Sequence, residues 1–576
     1  MKKMKKLVAL IIATAMVLSM MSIAAFAADG DGYKVTITKD ATDEGTHTYE
    51  AYQIFAGDLA DNKLSNITWG TGIDQSKLGD LADAINALRD TTVEGYVALT
   101  ATSTAQQFAD AISGLNATDD SATAQKVAEA LAAALSSTSK TGDDTGVGGL
   151  AAGYYLVQDK SAPVAPDDTH NSGAQTRYIL QVVENVTVNE KASVPSVEKK
   201  VKDANDTTDT AETTNAYQDS ADYDIGDAVP FQITGTTAST ADDYVKYHVT
   251  FVDDQSEGLD APEQFSIAVL GQTLALNNAA GASADATVGK IKVTASIVTA
   301  GADFSIKVAF ENTDNAGKTE GLVKLGSAVE SQNIVITYTS KLNANAVLGA
   351  TGNPNEVKLK YSANPNSSDD SEEDEGETPK DKVIVFTYKP VVNKVDENNQ
   401  PLEGAGFTLY KEVGASYVAQ TGETVQTGAE IKAALKAQNA SINAAALKDA
   451  SKYVAKAMTT VSGSTTSFEF KGIDDGTYVL VETTIPAGYN AFVAEEVQVS
   501  ATHDVESDDP QLKTLTGGNR FSGDIDAGTL TGNVENQSGA VLPSTGGIGT
   551  TIFYVIGAIL VIGAGVVLVT RRRMEA

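Results

Sequence analysis

The sequence predicts an all-β protein made of β-sandwich domains in tandem. The stretches KYHVTFVDD, SQNIVITYTS and DKVIVFTYK alternate apolar and polar side chains, as strands do when one face lies in a core. Such stretches recur along most of the chain, with turn residues between them. The chain has 576 residues. Roughly 510 of them lie between two apolar ends, which is enough for three or four domains.

The two ends of the chain carry signals for secretion and anchoring. Four lysines within the first six residues precede an apolar segment, 7–23, and then Ala25-Phe26-Ala27, which is the pattern of a signal peptide spanning residues 1–28. An N-terminal membrane helix is the alternative, but the apolar run is short and ends in small residues. Near the C-terminus, a run of about twenty apolar residues is long enough to cross a bilayer, and Arg571–Arg573 would stay in the cytoplasm. We therefore expect the body of the protein outside the cell.

Composition excludes several classes of function. The sequence has no cysteine, which excludes disulfides, a thiol nucleophile and cysteine metal ligands. A formal net charge of -34 argues against nucleic-acid binding, because that affinity depends on Lys and Arg neutralising phosphates. No glycine-rich phosphate loop follows a strand and opens a helix, so nucleotide binding is not expected. We expect no cofactor and no metal site.

A few isolated features have alternative interpretations. The acidic run DDSEEDEGE, residues 369–377, could bind calcium, but its spacing differs from an EF-hand loop and favours a solvated loop. Trp69, the only tryptophan, could stack on a ligand, although a core or loop anchor is the more common role. The four histidines lack ligand spacing, so we expect isolated surface or strand positions for them. They are His47, His170, His248 and His503.

A five-residue motif stands just before the C-terminal apolar run. Leu542, Pro543, Ser544, Thr545 and Gly546 form LPSTG, followed by the apolar span and the basic tail. This order resembles the cell-wall sorting signal of Gram-positive surface proteins. The resemblance implies that a sortase cleaves between Thr545 and Gly546, holds the Thr545 carbonyl as a thioester and transfers it to an amine. A chance Pro-Ser-Thr-Gly turn is the alternative.

Lys191 is the candidate for the amine that receives Thr545. In NVTVNEKASVPSVEKKV, residues 185–201, it stands between a predicted strand and a proline-containing joint. The stretch resembles the junction after the N-terminal domain of sortase-assembled major pilins, where the pilin-motif lysine lies. Asn189-Glu190 replaces the usual Tyr-Pro before that lysine. An ordinary surface lysine, with peptidoglycan supplying the amine, is the alternative.

Three polar residues in the middle of the chain fall on apolar strand faces. Side chains two residues apart share one face of a strand, so Lys199, Asp253 and Asn355 each lie among core residues. Lys200 points outward by the same rule. Asp254 adjoins Asp253, which leaves the identity of the acid open. The apolar companions are Val197 and Val201, Val249 and Phe251, and Val357, Leu359 and Tyr361.

The last part of the chain repeats this pattern. Lys394, Glu482 and Asn536 are again a lysine, an acid and an asparagine on apolar faces of predicted strands. A single lysine predicted to point inward often means that the strand register was assigned wrongly. Two matching sets of three residues make that explanation less convincing. The apolar companions are Val392, then Tyr478 and Leu480, and then Val534.

These three residue types together allow an amide to form without an enzyme. Burial pushes a lysine toward its neutral, nucleophilic form and an acid toward its protonated form. The amine can attack the asparagine carbonyl while the acid polarises that carbonyl and shuttles protons, so ammonia leaves. We predict one such isopeptide bond in each part, joining the first strand of a domain to its last. By analogy with a disulfide, each bond contributes about 5 kcal/mol through the unfolded-state entropy.

Longer stretches resemble known domains. YKPVVNKVDENNQPLEGAGFTLY, GTYVLVETTIPAGY and NVEN resemble the collagen-adhesin B-type domain of Gram-positive surface proteins. Its lysine, E-box glutamate and asparagine correspond to Lys394, Glu482 and Asn536. SVEKKVKD, YDIGDAVPFQI and GNPNEVKLKYSANP resemble the isopeptide-forming fimbrial domain. With the N-terminal part, the resemblance covers nearly the whole chain and indicates a major (backbone) pilin.

The expected architecture is a string of immunoglobulin-like sandwiches with helical insertions. Helical periodicity between residues 77 and 136, and again in 431–458, places the insertions in the first and last domains. In the first domain Gln158 stands where an E-box acid would be, and Lys39 lacks an evident acid partner, so we predict no internal bond there. The predicted segments are a signal peptide at 1–28, an N-terminal pilin domain at 29–192, a middle isopeptide-forming fimbrial domain at 193–388, a C-terminal collagen-adhesin B-type domain at 389–541 and the sorting signal at 542–576.

The resemblance implies a non-enzymatic shaft subunit of a covalently polymerised pilus. The protein would be secreted and held for a time in the membrane as a single-span precursor. It would then be attached to the Gram-positive cell wall. The implied partners are a pilus-specific sortase, identical subunits, ancillary pilins, a housekeeping sortase, peptidoglycan and ligands on host or bacterial surfaces. A monomeric wall-anchored adhesin or an ancillary pilin is the alternative. A wall-anchored enzyme such as a glycosidase would need a paired-carboxylate cleft, which the sequence does not indicate.

Overall fold

A computed structural model describes residues 32–540 and 548–574 of the chain. Within the first range it leaves out 61–62, 119–120, 162–165, 167–168, 183–184, 204–216, 319–320, 368–373 and 416. The predicted signal peptide and the LPSTG motif lie outside the described residues. The strands form three groups, which we call the N-terminal region (33–189), the middle region (196–386) and the C-terminal region (389–536). Each sheet of the described residues takes its strands from one region.

The N-terminal region has two sheets and a helical layer. A three-stranded sheet has the order β5-β1-β8, and a five-stranded sheet has the order β3-β2-β6-β7 with β4 beside β2. The strands are β1 Tyr33–Thr38, β2 Tyr49–Ala60, β3 Lys63–Trp69, β4 Lys140–Thr141, β5 Gly146–Leu150, β6 Gly153–Asp159, β7 Ile179–Val182 and β8 Val186–Asn189. The helices are α1 Leu78–Ala87, α2 Ala105–Ser113 and α3 Ala122–Ala133.

The three helices cover one face of the five-stranded sheet. Because side chains alternate along β2, Tyr49 packs in a core with residues of β1 and β5, whereas Ile54 packs against the helices. Thr104 and Gln107 form a capping box that begins α2. Trp69 lies 5.1 Å from the ring of Phe108 in this helical layer, so it packs as an apolar anchor.

The middle region is a sandwich of two sheets around one core. The six-stranded sheet has the order β10-β9-β12-β19-β14-β15. The eight-stranded sheet has the order β11-β22-β20-β13-β18-β17-β16, with β21 beside β20. The strands are β9 Ser196–Lys202, β10 Tyr217–Gln218, β11 Ser220–Asp222, β12 Ala228–Thr236, β13 Lys246–Gln255, β14 Gln264–Val269, β15 Gln272–Asn277, β16 Ser283–Val288, β17 Ile291–Thr299, β18 Phe304–Asn312, β19 Asn333–Lys341, β20 Asn353–Ser362, β21 Glu375–Glu377 and β22 Asp381–Phe386.

The C-terminal region is a second sandwich. Its sheets have the orders β27-β28-β23-β33-β32 and β25-β26-β24-β29-β30-β31. The strands are β23 Lys389–Asp396, β24 Gly406–Val413, β25 Val425–Thr427, β26 Lys452–Ala457, β27 Thr459–Thr460, β28 Ser467–Glu469, β29 Gly476–Thr484, β30 Glu495–His503, β31 Leu512–Thr516, β32 Ser522–Asp524 and β33 Thr529–Asn536. Helix α4, Gly428–Gln438, packs Ile431 and Leu435 against the face of the six-stranded sheet that lies away from the main core.

The predicted helical insertion at 431–458 is only partly correct. Thr427 and Glu430 form a capping box, and α4 ends at Gln438. Lys452–Ala457 is instead strand β26, which pairs antiparallel with β24. Tyr453 and Val454 are buried there. The stretch is rich in alanine, but pairing and burial in the sheet outweigh that helical propensity.

Successive regions are joined by buried polar contacts. Between the N-terminal and middle regions, Tyr361 donates a hydrogen bond to the Gly173 carbonyl (2.9 Å). Between the middle and C-terminal regions, Lys411 Nζ lies 3.2 Å from Asp224 and 2.7 Å from Asp474, with all three side chains almost fully buried. Opposite charges buried this close together restrain the orientation of one sandwich on the next.

The last described element is helix α5, Ile548–Met574. Among the described residues, its segment Ile552–Met574 is the one helix long and apolar enough to cross a membrane. Arg571–Arg573 lie in its last turn, where cations interact favourably with a helix C-terminus.

Candidate functional site: two buried lysine, acid and asparagine triads

The structure brings Lys199, Asp253 and Asn355 together inside the middle region, and we call them the middle triad. Lys199 comes from β9 in the six-stranded sheet, whereas Asp253 and Asn355 come from the adjacent strands β13 and β20 of the eight-stranded sheet. All three are at most 2% exposed. The alternation along each strand puts these polar side chains in the core between the sheets.

Hydrogen bonds connect the three residues of the middle triad to one another and to their surroundings. Lys199 Nζ donates both to Asp253 Oδ2 and to Asn355 Oδ1. The Asn355 amide nitrogen donates to the Tyr338 hydroxyl (2.9 Å) and to Gln255 Oε1 (3.2 Å). The lysine nitrogen therefore lies beside the carbonyl that it would attack, and every polar group of the asparagine has a partner.

Burial shifts both ionisable groups of the middle triad toward neutrality. Loss of hydration lowers the pKa of the Lys199 ammonium, and the negative charge of Asp253 only partly opposes this. Burial likewise raises the pKa of Asp253 to about 6 against the attraction of Lys199. A neutral amine beside a protonated carboxyl is the state that nucleophilic attack on an amide requires.

The two neighbouring acids, Asp253 and Asp254, have different surroundings. Asp254 is exposed and lies 3.7 Å from Lys380, whereas Asp253 contacts the lysine of the middle triad. Lys200 is half-buried on the other face of β9 and lies 2.5 Å from Asp219.

The sequence pattern does not indicate the two residues, Tyr338 and Gln255, that contact the middle triad. The Tyr338 hydroxyl donates to Asp253 (3.2 Å) while it accepts from Asn355, and Gln255 accepts from Asn355. Tyr338 shares its strand face with Ile336 in NIVITYTS, and Gln255 is two residues after Asp253. The two-residue period places both inward, but a tyrosine on an apolar face gave no sign of a polar role.

Lys394, Glu482 and Asn536 also come together, and we call them the C-terminal triad. Lys394 lies on β23 and Asn536 on β33, which are parallel neighbours in the five-stranded sheet. Glu482 comes from β29 in the other sheet. All three residues are at most 2% exposed.

The acid of the C-terminal triad contacts the asparagine. Asn536 Nδ2 donates to Glu482 Oε1 (2.8 Å) and Oε2 (3.0 Å), and the Phe492 amide donates to the same carboxylate (2.8 Å). Lys394 Nζ donates to the carbonyls of Val395 (2.8 Å) and Val534 (2.9 Å). Among the described residues, the buried Asn536 Oδ1 has no hydrogen-bond partner.

Burial again favours the neutral forms. It lowers the pKa of Lys394, although Glu482 opposes the shift, and it raises the pKa of Glu482. A buried carbonyl oxygen without a donor is unfavourable in the ground state. The Asn536 carbonyl could therefore accept a hydrogen bond if charge developed on it during the attack that the sequence predicts.

The N-terminal region has a different set of polar contacts. Gln158 donates to the Tyr178 hydroxyl at 3.5 Å. Lys39 is only half-buried, donates to the Gly45 carbonyl and lies 3.7 Å from Asp144, so the expectation that it lacks an acid neighbour is wrong. Asp144 is itself largely exposed, which leaves this pair unlike the two buried triads.

Lys191 follows β8 at the end of the N-terminal region. It is partly exposed, and its backbone amide donates to the Thr176 hydroxyl (2.7 Å). Glu190, next to it, is buried, with its carboxylate accepting from the Asp40 amide (3.0 Å). The residue that Lys191 would join, Thr545, lies outside the described part of the chain with the rest of the sorting motif.

The expectation of isolated surface or strand positions is partly correct: His248 and His503 lie on strands β13 and β30, but both of them and His47 have close polar partners. His47 lies between carboxylates, His248 lies 2.8 Å from Glu375, and His503 contacts the Ser220 hydroxyl at 2.7 Å. His170 is exposed. Of the acidic run, the described residues Glu375–Glu377 form β21 and pair with β20, so this part is a strand and not a solvated loop. Tertiary contacts between distant segments carry no spacing signal in the sequence.

Two protein-family models match this chain. Residues 389–511 match the prealbumin-like fold domain SpaA, and residues 534–576 match the LPXTG cell wall anchor motif. The first match contains the lysine and acid of the C-terminal triad, and the second contains its asparagine and the sorting motif. The anchor motif and the apolar helix α5 identify a cell-wall-anchored surface protein.

A curated relative is the trypsin-resistant surface T6 protein of Streptococcus pyogenes serotype M6 (strain ATCC BAA-946 / MGAS10394). It is 28% identical over 275 residues, covering 43% of this chain and 50% of the relative. The match thus spans half of the relative's length. The SpaA domain, the anchor motif and this similarity confirm the resemblance to sortase-assembled Gram-positive backbone pilins.

The solved structures that resemble this chain include the following two pilins. One is the T6 backbone pilin of serotype M6 Streptococcus pyogenes, with 18% identity, a TM-score of 0.45 and coverage of 90% of this chain and 100% of that chain. Another is the full-length major pilin SpaD from Corynebacterium diphtheriae, with 16% identity, a TM-score of 0.41 and the same two coverages, 90% and 100%.

Proposed function

We propose that this surface protein is the shaft subunit of a covalently polymerised pilus, stabilised by internal isopeptide bonds. The observation that carries the proposal is the burial of a complete lysine, acid and asparagine set in each of two successive regions of a chain that ends in a cell wall anchor motif. The sequence has no cysteine, so isopeptide bonds would replace disulfides as covalent supports outside the cell.

Each internal bond would form by a balanced exchange of one amide for another. The neutral lysine Nζ attacks the asparagine Cγ, the carboxylic acid donates a proton toward the amide and accepts one from the attacking nitrogen, and the Cγ–Nδ2 bond breaks. Ammonia leaves, and a secondary amide joins the two side chains. The acid ends in the protonation state in which it began.

The bond between subunits would use the other lysine. A sortase thiolate attacks the Thr545 carbonyl carbon, the Thr545–Gly546 peptide bond breaks, and Gly546 leaves as the amine of the membrane segment. Neutral Lys191 Nζ of another subunit then attacks the thioester, and the thiolate is released. Lys191 follows the N-terminal region, whereas Thr545 follows the C-terminal region, so repetition would produce a head-to-tail polymer.

The partners follow from this chemistry. A pilus-specific sortase would catalyse joining between identical subunits, and a housekeeping sortase would transfer the last subunit to peptidoglycan. Ancillary pilins would enter the polymer through the same two groups. The shaft itself would be a structural protein and not an enzyme.

The test is the size of the protein in boiled detergent extracts of cells that also express its sortase. We expect a ladder of multimers in the wild type, a monomer in Lys191→Arg, and an unchanged ladder in Lys160→Arg. Lys160 is an exposed lysine of the same region and serves as the matched control. A full ladder in Lys191→Arg would show that another amine is used. A wild type without multimers would favour the wall-anchored monomeric adhesin.

A further inference from the structure

The N-terminal region contains a buried histidine among three carboxylates, which neither the triads nor the sorting motif uses. We call Asp43, His47, Asp159 and Glu190 the histidine–carboxylate cluster, and each of the four is less than a tenth exposed. Asp43 and His47 lie between β1 and β2, Asp159 ends β6, and Glu190 follows β8. Three separate segments of the chain therefore meet at one imidazole.

One ring nitrogen of His47 has a clear partner. Nδ1 lies 2.8 Å from Asp159 Oδ2, a normal hydrogen-bond length. The ring of Tyr49 stacks on the imidazole, with centroids 5.7 Å apart and an angle of 11° between the planes. A histidine whose Nδ1–H donates to a carboxylate has its tautomer and orientation set for metal binding through Nε2.

The other ring nitrogen faces two carboxylates at once. Nε2 lies 3.3 Å from Asp43 Oδ1 and 3.5 Å from Glu190 Oε1. Both distances exceed the usual range for a hydrogen bond, and a single proton on Nε2 can point at only one of the two oxygens. Bonds of about 2.0–2.1 Å to a tetrahedral metal ion would separate its ligand atoms by about 3.3 Å. The two distances from Nε2 to the carboxylate oxygens are close to that separation.

The backbone around the cluster holds both carboxylates in place. The Gly45 and Ala174 amides each donate to Asp43 at 2.8 Å, one to each oxygen. Gly173 approaches so closely that a Cβ on it would lie 2.6 Å from Asp43 Oδ1, and its φ of +75° favours glycine. The Asp40 amide donates to Glu190 Oε2, which leaves Oε1 facing the imidazole.

The charges of the cluster also favour a cation. Three carboxylates surround one imidazole, and a divalent ion would balance the excess of negative charge in a buried place. Nitrogen and oxygen ligands together suit Zn²⁺ or a neighbouring first-row ion, whereas Ca²⁺ prefers oxygen ligands alone. The ligand atoms of Asp43, His47 and Glu190 all lie within 4.8 Å of one another.

We propose that Asp43, His47 and Glu190 bind a divalent first-row transition ion, with Asp159 positioning the imidazole and water completing the coordination. The ion would tie the β1–β2 connection to the end of β8, next to Lys191. The N-terminal region lacks a buried triad like those of the other two regions among its described residues, so the ion would be its substitute cross-link. This inference goes beyond the pilus function and does not depend on it.

The experiment uses the full chain, purified in detergent, stripped with EDTA and titrated with Zn²⁺ by calorimetry. We expect one Zn²⁺ per chain, with binding lost in His47→Gln and Glu190→Gln and weakened about 10- to 100-fold in Asp159→Asn. Co²⁺ added to the wild type should give the intense visible absorption of a four-coordinate ion. Circular dichroism at the same temperature checks that each variant is folded.

Matched controls separate this site from other histidines. His170→Gln removes an exposed histidine, and His248→Gln removes a buried one that faces a single glutamate, so both should keep full Zn²⁺ binding. Absence of Zn²⁺ binding in the wild type would mean that a protonated imidazole holds the carboxylates, which overturns the proposal. Equal binding in folded Glu190→Gln, or tighter binding of Ca²⁺ than of Zn²⁺, would overturn it as well. Loss of the pilus ladder without loss of Zn²⁺ binding would affect only the proposed function.

Discussion

The middle and C-terminal triads place the same three residue types in different strand topologies. In the middle triad the lysine belongs to one sheet and the acid and asparagine to the other, so a bond would join the two sheets. In the C-terminal triad the lysine and asparagine lie on parallel neighbours of one sheet, so a bond would join two strands of that sheet. The proposed chemistry needs three groups at one point, and more than one arrangement of strands provides it.

The triads also differ in what the acid contacts. Asp253 contacts the attacking lysine, whereas Glu482 contacts the amide nitrogen that would leave. A tyrosine hydroxyl bridges acid and asparagine in the middle triad, while a backbone amide holds the acid in the C-terminal triad. In the proposed reaction the acid serves both nitrogens, so each triad would begin with a different half of the proton transfer already aligned.

The bonds would also span their regions differently. In the C-terminal region the triad connects the first strand, β23, to the last, β33, as the sequence predicts. In the middle region β9 is the first strand, but β21 and β22 follow β20, so the prediction of a first-to-last link is wrong there. A pulling force along a chain of subunits would therefore be carried past nearly all of the C-terminal region by its isopeptide bond. In the middle region, β22 follows the linked asparagine, so this strand would still carry the force.

The largest expected effect comes from replacing each acid by its amide. Asp253→Asn should leave Lys199 and Asn355 unlinked, and Glu482→Gln should leave Lys394 and Asn536 unlinked, because an amide cannot shuttle protons. After allowance for the mass change of the substitution itself, each variant should be heavier than the wild type by one ammonia, and it should lose about 5 kcal/mol of unfolding free energy. Intact mass, peptide mapping and denaturant unfolding measure these changes.

The two acid variants are each other's control. Because the triads lie in separate sandwiches, each variant should retain the bond of the other region, and the double variant, after the same allowance, should be heavier by two ammonias. Asp254→Asn, at the exposed neighbour, should keep both bonds. If the wild-type mass lacks the ammonia deficit, the isopeptide proposal fails for both triads.

A smaller effect is expected at the junction of the two regions. Burial lowers the pKa of His503 from 6.5 to about 4, so the folded state resists its protonation. The stability that comes from neutral His503 is complete above pH 6.5 and is lost as the pH falls through about 4. At pH 5 the loss of unfolding free energy from this source is about 2 kcal/mol.

His503→Gln should therefore lose less stability than the wild type between pH 7 and pH 5. The measurement is the denaturant midpoint at the two pH values, with the exposed His170→Gln as control. Equal pH dependence in wild type and His503→Gln would show that His503 is protonated without opening its contact with Ser220.

The smallest effect distinguishes the two triads by rate. Tyr338→Phe removes a hydroxyl that contacts both Asp253 and Asn355. We expect bond formation in the middle region to slow by about tenfold, the equivalent of one hydrogen bond, while the C-terminal bond forms at its normal rate. Mass spectrometry at successive times during the folding of freshly synthesised chain measures the rate at which each bond forms. Equal slowing of both bonds would point to a general folding defect, and Phe231→Leu, beside the same lysine, is the packing control.

Much of the candidate site could be predicted because strands have a strict period. The two-residue period predicts inward side chains for Lys199, Asp253 and Asn355, and the structure buries all three. The same counting placed the C-terminal triad. The two-residue period does not indicate which strands are neighbours. It therefore does not predict that Lys199 reaches across to the other sheet, whereas Lys394 lies on the strand next to that of its asparagine.

The histidine–carboxylate cluster illustrates what a local pattern cannot show. Its residues lie between positions 43 and 190 with no regular spacing, and each is unremarkable in its own stretch. In the sequence, Glu190 stands out only as a departure from the expected Tyr-Pro before Lys191. Its burial against His47 depends on three distant segments meeting in the fold.

By itself, the sequence determined the secreted, anchored character of the protein, its all-β class and the inward direction of the six triad residues. These properties follow from local composition and from the two-residue period of a strand, which are written along the chain. Only the tertiary structure decided the strand order, the contact of Lys199 with Asp253 and not Asp254, the hydrogen bonds of Tyr338 and the gathering of carboxylates around His47. Those outcomes depend on which distant segments share a core, and that is settled by packing over the whole domain.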